Sequence, residues 1–209
     1  MGRLLAVNIA AVTRTGDWTG DVGETGIDKR PVTHPVRLLD DHVDGDHVMD
    51  RAHHGGPSKA VYAYAREDAT WWEAAIGRPI PTGSFGENLT TADIAVTGAI
   101  IGEVWRIGTA TLRVTEPRIP CRVFAGFWDR PHLVREFTDA GRPGAYLAIV
   151  DEGSVQVGDA ISVLHRPDHG VTLGRLFAAR TNHGVTRDEV RAARADLSPT
   201  WQAWLDAGN

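Results

Sequence analysis

From residue 3 to residue 164 the chain alternates brief apolar runs with glycine, proline and Asp-Gly punctuation, the rhythm of short strands joined by tight turns. Residues 3 to 9 (Arg-Leu-Leu-Ala-Val-Asn-Ile) read as a first strand. Leu38-Leu39, an Asp44-Gly45 turn and residues 46 to 49 predict a hairpin. A clearer hairpin joins residues 104–107 to 110–115 across Gly108-Thr109, with Ala110, Leu112 and Val114 on one face. Residues 145–150 and 160–164 continue the set, separated by Gly153 and Gly158-Asp159. Strands this short and evenly spaced fit a closed or nearly closed barrel better than a parallel sheet with crossover helices.

Two helices interrupt this pattern. Residues 67–76 carry Trp71, Trp72 and Ile76 and stop at Gly77; Leu133, Val134 and Phe137 follow Pro131 and end at Gly141. The tryptophans are expected in the core, the usual place for large aromatics. After His165-Arg166-Pro167-Asp168-His169-Gly170 the strand signals cease. Thr172 precedes Leu173-Gly174-Arg175-Leu176-Phe177, Thr186 and Glu189 have capping-box spacing, and Ser198-Pro199 opens a run in which Trp201, Trp204 and Leu205 share a face. The chain is therefore expected to be mainly β (α+β): a β-barrel domain over 1–166 with inserted helices, and a small three-helix segment over 167–209. Helices this short need a neighbour, so the segment should pack on the barrel or on a second copy, making a homodimer an expectation.

Composition narrows the function classes. The 209 residues are 42% hydrophobic and 23% charged, with a net charge of −5, and like charges form no run. This excludes a sequence-independent grip on nucleic acid or an anionic membrane. The first apolar stretch is too short for a signal peptide, no 18-residue apolar span occurs, and one cysteine cannot form an internal disulfide; a cytoplasmic location is expected. Arginine outnumbers lysine 20 to 2, and both lysines, Lys29 and Lys59, fall inside candidate motifs.

The single cysteine lies in Glu116-Pro117-Arg118-Ile119-Pro120-Cys121-Arg122. Prolines on its N-terminal side fix the local backbone, and flanking arginines are the neighbours that favour thiolate, the reactive and metal-binding form. A buried cysteine acting as a small hydrophobe is the plainer alternative. Three further segments combine glycine with unusual polar content. Thr25-Gly26-Ile27-Asp28-Lys29-Arg30-Pro31 places adjacent cations after a glycine, or is a solvated loop. His53-His54-Gly55-Gly56-Pro57-Ser58-Lys59 lets backbone N–H groups approach a ligand, or is a capped turn. Gly83-Ser84-Phe85-Gly86-Glu87-Asn88-Leu89-Thr90 offers, at Asn88, donors and an acceptor suited to a heterocycle's edge, though such residues also build turns. Arg142, bracketed in Gly141-Arg142-Pro143-Gly144, is placed to grip a phosphate with two hydrogen bonds. One cysteine and unpaired histidine spacings exclude a structural zinc site, and neither common nucleotide-binding glycine motif is present.

Taken in order, these segments resemble the MOSC family, named for the C-terminal domain of molybdenum cofactor sulfurase, and within it the stand-alone bacterial YiiM-like proteins. The matching residues are 25–32, 54–62, 85–90, 117–121 and 141–144, together with the His165-Arg166-Pro167 junction and the helical tail. The resemblance implies a MOSC-type β-barrel holding molybdenum cofactor (Mo-molybdopterin), with Cys121 as the protein ligand to the metal. It implies Arg118 and His54 as catalytic polar neighbours. Lys29, Arg30, His53, Gly55, Gly56, Lys59, Asn88 and Arg142 would contact the cofactor, with either His53 or His54 facing the site. The implied activity is reduction of small N-hydroxylated compounds of the hydroxylaminopurine type.

Such chemistry needs polarizable sulfur at the metal and a proton donor, for which His54 is suited near neutral pH. The chain shows no flavin, haem or iron–sulfur motif, so an electron-donating reductase partner is implied. A non-catalytic cofactor carrier, and a sulfur-transfer protein using Cys121 with His54 as base, are the alternatives.

Overall fold

The computed structural model describes residues 1–10, 12–49 and 54–207. Its first strands are β1 (Gly2–Ile9), β2 (Arg14–Thr15), β3 (Glu24–Thr25), β4 (Arg30–Val32), β5 (Val36–Leu39) and β6 (His42–Val43). Next come β7 (Val61–Ala65), α1 (Arg66–Ile76), β8 (Leu89–Ala92), β9 (Val104–Ile107) and β10 (Ala110–Pro117). After them follow α2 (Arg122–Phe127), α3 (Leu133–Ala140), β11 (Ala145–Asp151), β12 (Gly153–Val155) and β13 (Ala160–His165). The tail holds α4 (Leu173–Arg180), α5 (Arg187–Val190), a 3-10 turn (Arg191–Asp196) and α6 (Pro199–Asp206).

Strands β1, β8, β7, β11, β10, β9 and β13 are bonded in that order, and β13 returns to β1 through Gly2↔Ile161 and Arg3↔Ala160. The result is a closed seven-stranded barrel with no free edge in the ring. Its pairings are antiparallel except for β7 with β8, which run parallel at Ala63↔Leu89, Tyr64↔Thr90 and Ala65↔Thr91. A parallel pair needs a crossover, and α1 supplies it. Gly77 ends α1 and Gly141 ends α3, each in left-handed conformation as the sequence predicts.

Alternation along two strands builds two cores. In β7, Val61, Ala63 and Ala65 face the barrel interior with Trp105, Leu112 and Val114. Tyr62 and Tyr64 face outward, into an aromatic layer of Trp72, Phe85, Phe124, Trp128 and Phe137. β11 repeats the arrangement, Ala145 and Leu147 inward and Tyr146 outward. Within the layer the Tyr64 and Phe85 rings stack at 4.2 Å between centroids. Of the paired tryptophans, Trp72 is 2% exposed and fulfils the core expectation, whereas Trp71 is 41% exposed.

The first hairpin differs from expectation. β5 turns at Asp40-Asp41, so that Leu38 pairs with Val43 and Leu39 with His42. Asp40 takes the left-handed conformation (φ 46°) that a short polar side chain tolerates. The register buries Leu38 and Val43 together, which a turn at Asp44-Gly45 would not. Residues 46–49 are consequently irregular chain, and they run into the site described below.

The tail is covered by its own barrel. Leu173, Leu176, Val190, Ala193, Trp201 and Leu205 belong to the same buried cluster as the barrel interior. Backbone bonds Leu173 N–H to Ala99 O (2.9 Å) and Ile101 N–H to Val171 O (3.1 Å) stitch the two together. The apolar helix faces from which a homodimer was expected are thus buried within the chain.

Leu205→Ala is expected to cost about 2–5 kcal/mol, because Leu205 is fully buried in that shared core. Urea unfolding followed by fluorescence and by circular dichroism should show one coincident transition moved to lower denaturant; two separate transitions would show that tail and barrel do not share a core.

Candidate functional site

A cavity of about 540 Å³ opens beside the aromatic layer, between the 3-10 segment Asp17–Val22, residues 25–29, residues 47–49 and the cysteine segment. Its size suits a small organic ligand. Of the residues singled out in the sequence, Lys29, His54, Gly55, Lys59, Asn88, Arg118 and Cys121 line it.

Pro117 ends β10, irregular chain follows, and Cys121 precedes the first residue of α2 with φ −128° and ψ 171°. The sulfur is half-buried in the cavity wall. Arg118 lies deeper, 4% exposed, donating from Nη1 to Phe85 O and stacking over the rings of Phe124 (4.5 Å) and Tyr62 (5.2 Å). Its Nε is buried without a hydrogen-bond partner among the described residues. Burial disfavours the charge, yet Tyr62, Tyr146 and Cys121 outweigh it and hold the guanidinium above the usual arginine value. An orphaned donor on a buried cation is costly unless a ligand completes it.

Lys29 is 7% exposed and pairs with Asp46. Burial pulls its pKa below the ordinary lysine value, against the opposing pull of Asp46 and Glu87. Asp46 is the hub: Oδ2 also accepts from Asn88 Nδ2 (2.8 Å), and Oδ1 accepts from Ala10 N–H (2.8 Å). Asn88 donates a second bond to Asn8 O (3.3 Å) and accepts from Tyr62 N–H through Oδ1 (3.1 Å). Both its amide protons are therefore spent on the scaffold, not on a heterocycle. Glu87 fixes the preceding turn by accepting from Gly83 N–H (2.7 Å), Phe85 N–H (3.0 Å) and Thr90 Oγ1 (2.9 Å), while burial raises its pKa. Gly83 is required there: φ is +83°, and a Cβ would lie 2.3 Å from Lys29 O.

His54 Nδ1 is 2.8 Å from Tyr146 Oη. Lys59 stands 5.8 Å from the centroid of the Tyr146 ring and 3.2 Å from Glu116. Gly55 turns with φ +76° against Val48, and Gly56 follows outside the wall. Among the described residues, Lys29, Lys59, Arg118 and Arg122 line the cavity with one carboxylate, Asp21, while Asp46, Glu87 and Glu116 are outside its lining. The surface offered to a ligand is cationic.

Two predicted arginines are placed elsewhere. Arg30 pairs with Asp28 at 2.7 Å with its side chain 66% exposed. Burial opposes the Asp28 carboxylate, but Arg14 and Arg30 together hold its pKa below the usual value. Arg142 pairs with Asp68 and covers the Trp71 ring at 4.9 Å. Its contribution runs through the backbone: Tyr64 Oη donates to Arg142 O (3.1 Å) and Tyr62 Oη to Pro143 O (2.8 Å). His53 lies outside the described residues. Sequence reasoning missed Asp46, Tyr62 and Tyr146, and read Arg122 only as a neighbour favouring the thiolate; the alternating Val61-Tyr62-Ala63-Tyr64-Ala65 was the available signal for the first tyrosine.

Among the described residues no three His, Cys, Asp or Glu side chains converge on a metal position. A metal at Cys121 would bring its other ligands in a chelate, and the cationic wall with an unsatisfied Arg118 Nε fits an anionic one.

A model of the MOSC domain family matches residues 50–162. The uncharacterized protein YflK of Bacillus subtilis is 34% identical over 204 residues, covering 96% of this chain and 91% of that protein. A protein named reductase from Gibberella moniliformis is 32% identical over 119 residues, 54% of this chain and 21% of the relative. The crystal structure of YiiM from Geobacillus stearothermophilus superposes with a TM-score of 0.82 at 25% identity, over 99% of this chain and 98% of that one.

Asp46→Asn is expected to cost about 3–5 kcal/mol, because it leaves the Lys29 charge buried without its partner. Lys29 already has a depressed pKa in the folded state, so the unfolded chain holds its proton to higher pH, and folding stability rises with pH across the window below 10.5. Removing the Asp46 charge should extend that window downward; urea titrations at several pH values check both signs.

Proposed function

The chain belongs to the MOSC domain family, in its YiiM-like branch, and from that premise we propose that its cavity holds a molybdenum pterin at which N-hydroxylated compounds are reduced. The observation that carries this reading is the Cys121 sulfur in a cationic cavity wall, above a buried Arg118 whose Nε lacks a partner. The relative named reductase supports oxidoreductase chemistry more generally.

When bound, the molybdenum pterin supplies the two-electron, oxygen-accepting chemistry. Cys121 is the residue to hold its metal through soft sulfur, and Arg118, Lys29 and Lys59 are the residues to hold its anionic groups. Burial keeps the phenols of Tyr62 and Tyr64 protonated well above their ordinary range, so both remain donors to the 142–143 backbone and tie Tyr62, which lines the cavity, to that segment. In the reaction an N–O bond breaks, two electrons and two protons are consumed, and an amine and water leave. His54 moves one of those protons from Nε2, while Tyr146 engages Nδ1 and fixes the ring. Electrons come from a separate reductase, and the chain acts in the reducing cytosol; among the described residues no helix is long and apolar enough to cross a membrane.

The decisive experiment uses protein made in a host competent for the cofactor. Elemental analysis should find molybdenum, and hydroxylaminopurine should be reduced with a chemical electron donor. Cys121→Ser should lose metal-dependent turnover by about 100-fold or more. Full activity and full metal in that variant would overturn the ligand assignment, and stoichiometric molybdenum without turnover in the wild type would make the chain a carrier. Tyr146→Phe is expected to lower kcat about tenfold, leave KM near its wild-type value and displace the pH–rate profile, as loss of a group that orients an acid does.

A further inference from the structure

We propose that Arg122 selects N-hydroxylated substrates bearing an oxyanionic tail; this deepens the proposed function and rests on it. The four cations of the wall are not equivalent. Lys29 faces Asp46, Lys59 faces Glu116, and Arg118 is 4% exposed against the rings of Phe124 and Tyr62. Arg122 is exposed, follows Cys121 directly, lines the same cavity, and has no ion pair or hydrogen bond from its side chain among the described residues. Asp21 lines the cavity too but forms no ion pair with it.

A solvated arginine normally wanders; this one has a seat. A Cβ at Gly20 would lie 2.3 Å from Arg122 Nη2, 3.3 Å from Cζ and 3.8 Å from Nε, so the guanidinium lies against a bare backbone. Gly20 has φ 57° and ψ −139°, a conformation that kinks the 3-10 segment Asp17–Val22 and that side-chain-bearing residues avoid. The kinked segment is itself anchored. Thr19 Oγ1 lies 2.6 Å from Gly16 O and 2.8 Å from Gly23 O, and Trp18 packs against Gly126 and Phe127.

Depth then assigns the roles. Lys29 and Arg118 lie at the floor, the half-buried sulfur stands above them, and Arg122 stands at the solvent side. A substrate that presents its N–O group near Cys121 arrives from solvent and leaves its far end beside Arg122. A guanidinium held in place without a partner recognises phosphate or carboxylate through paired N–H···O bonds. The fitting substrates are N-hydroxylated nucleotides or N-hydroxylated carboxylates rather than neutral bases.

Loaded wild type, Arg122→Met and Gly20→Ala are compared on two matched pairs: hydroxylaminopurine riboside against its 5′-monophosphate, and benzamidoxime against its 4-carboxy derivative. In wild type the anionic member of at least one pair should have kcat/KM about 10- to 100-fold higher, and which pair shows the gain separates phosphate from carboxylate. Both variants should bring that ratio near one, Gly20→Ala because its methyl evicts the guanidinium. Adenosine monophosphate and benzoate, which carry no N–O bond, serve as calorimetric probes of the same proteins, and at least one should bind wild type about tenfold more tightly than Arg122→Met. Equal kcat/KM within both pairs in wild type overturns the inference while leaving the proposed function standing. If no substrate is reduced at all, the proposed function fails and the calorimetry alone decides, with equal binding of both probes by wild type and variant overturning the role of Arg122. Loss of molybdenum from Arg122→Met would assign the residue to the cofactor and overturn it too.

Discussion

The fold and the site both depend on two strands, β7 throughout and β11 over residues 145–147, that are buried on both faces. β7 and β11 send Val61, Ala63, Ala145 and Leu147 into the barrel and Tyr62, Tyr64 and Tyr146 into the aromatic layer, so neither layer can move without the other. A side chain in either layer meets close-packed neighbours, and a large aromatic buried there contributes on the order of 2–3 kcal/mol relative to exposure. The cavity is lined from the aromatic side of these strands. The side of the cavity that carries Tyr62 and Tyr146 is therefore anchored in the core, which is what a site needs if it is to hold donors in place before a ligand arrives.

That rigidity also explains how so many ionisable groups are tolerated indoors. A buried charge is sustainable when it is paired and hydrogen-bonded. Glu87 satisfies the condition with two backbone N–H groups and the Thr90 hydroxyl, and Asp46 with Lys29, Asn88 and the Ala10 amide. Arg118 departs from it, since one nitrogen donates to Phe85 O while Nε has no hydrogen-bond partner among the described residues. Asn8 Oδ1 and Glu116 Oε2 also lack partners among the described residues, but of these atoms only Arg118 Nε belongs to a cation that lines the cavity, which marks it as the one a ligand can complete.

The sequence made the barrel legible through its short, evenly punctuated strands, and the β9–β10 hairpin, α1 and α3 lie where their turn and capping residues predict. β7 was hidden because Val61-Tyr62-Ala63-Tyr64-Ala65 is apolar at every position; alternation between two cores leaves no polar face to read. The β5 turn was misread because Asp44-Gly45 is the stronger local turn signal, and long-range burial of Leu38 with Val43 overrode it. Of the site, the glycine-bearing motifs and the cysteine were legible as segments. Whether a polar side chain within a motif faces the ligand or the scaffold was not. Asn88 and Arg142 sit in such segments yet spend their side chains on Asp46 and Asn8 O, and on Asp68, because partner choice depends on chain brought in from far along the sequence.

The same logic separates adjacent residues around the sulfur. Pro117 and Pro120 each fix a backbone angle, Cys121 is itself extended (φ −128°, ψ 171°), and neighbouring side chains reach different depths. Arg118 goes inward to 4% exposure, Ile119 outward to 39%, and Cys121 stops between them. α2 begins at the next residue and carries Arg122 to the outside. One short stretch of sequence thereby sets a sulfur between an inner cation that solvent does not reach and an outer cation that solvent does. The inner one is shut off from solvent and the outer one open to it, a division set by the backbone before any ligand is named.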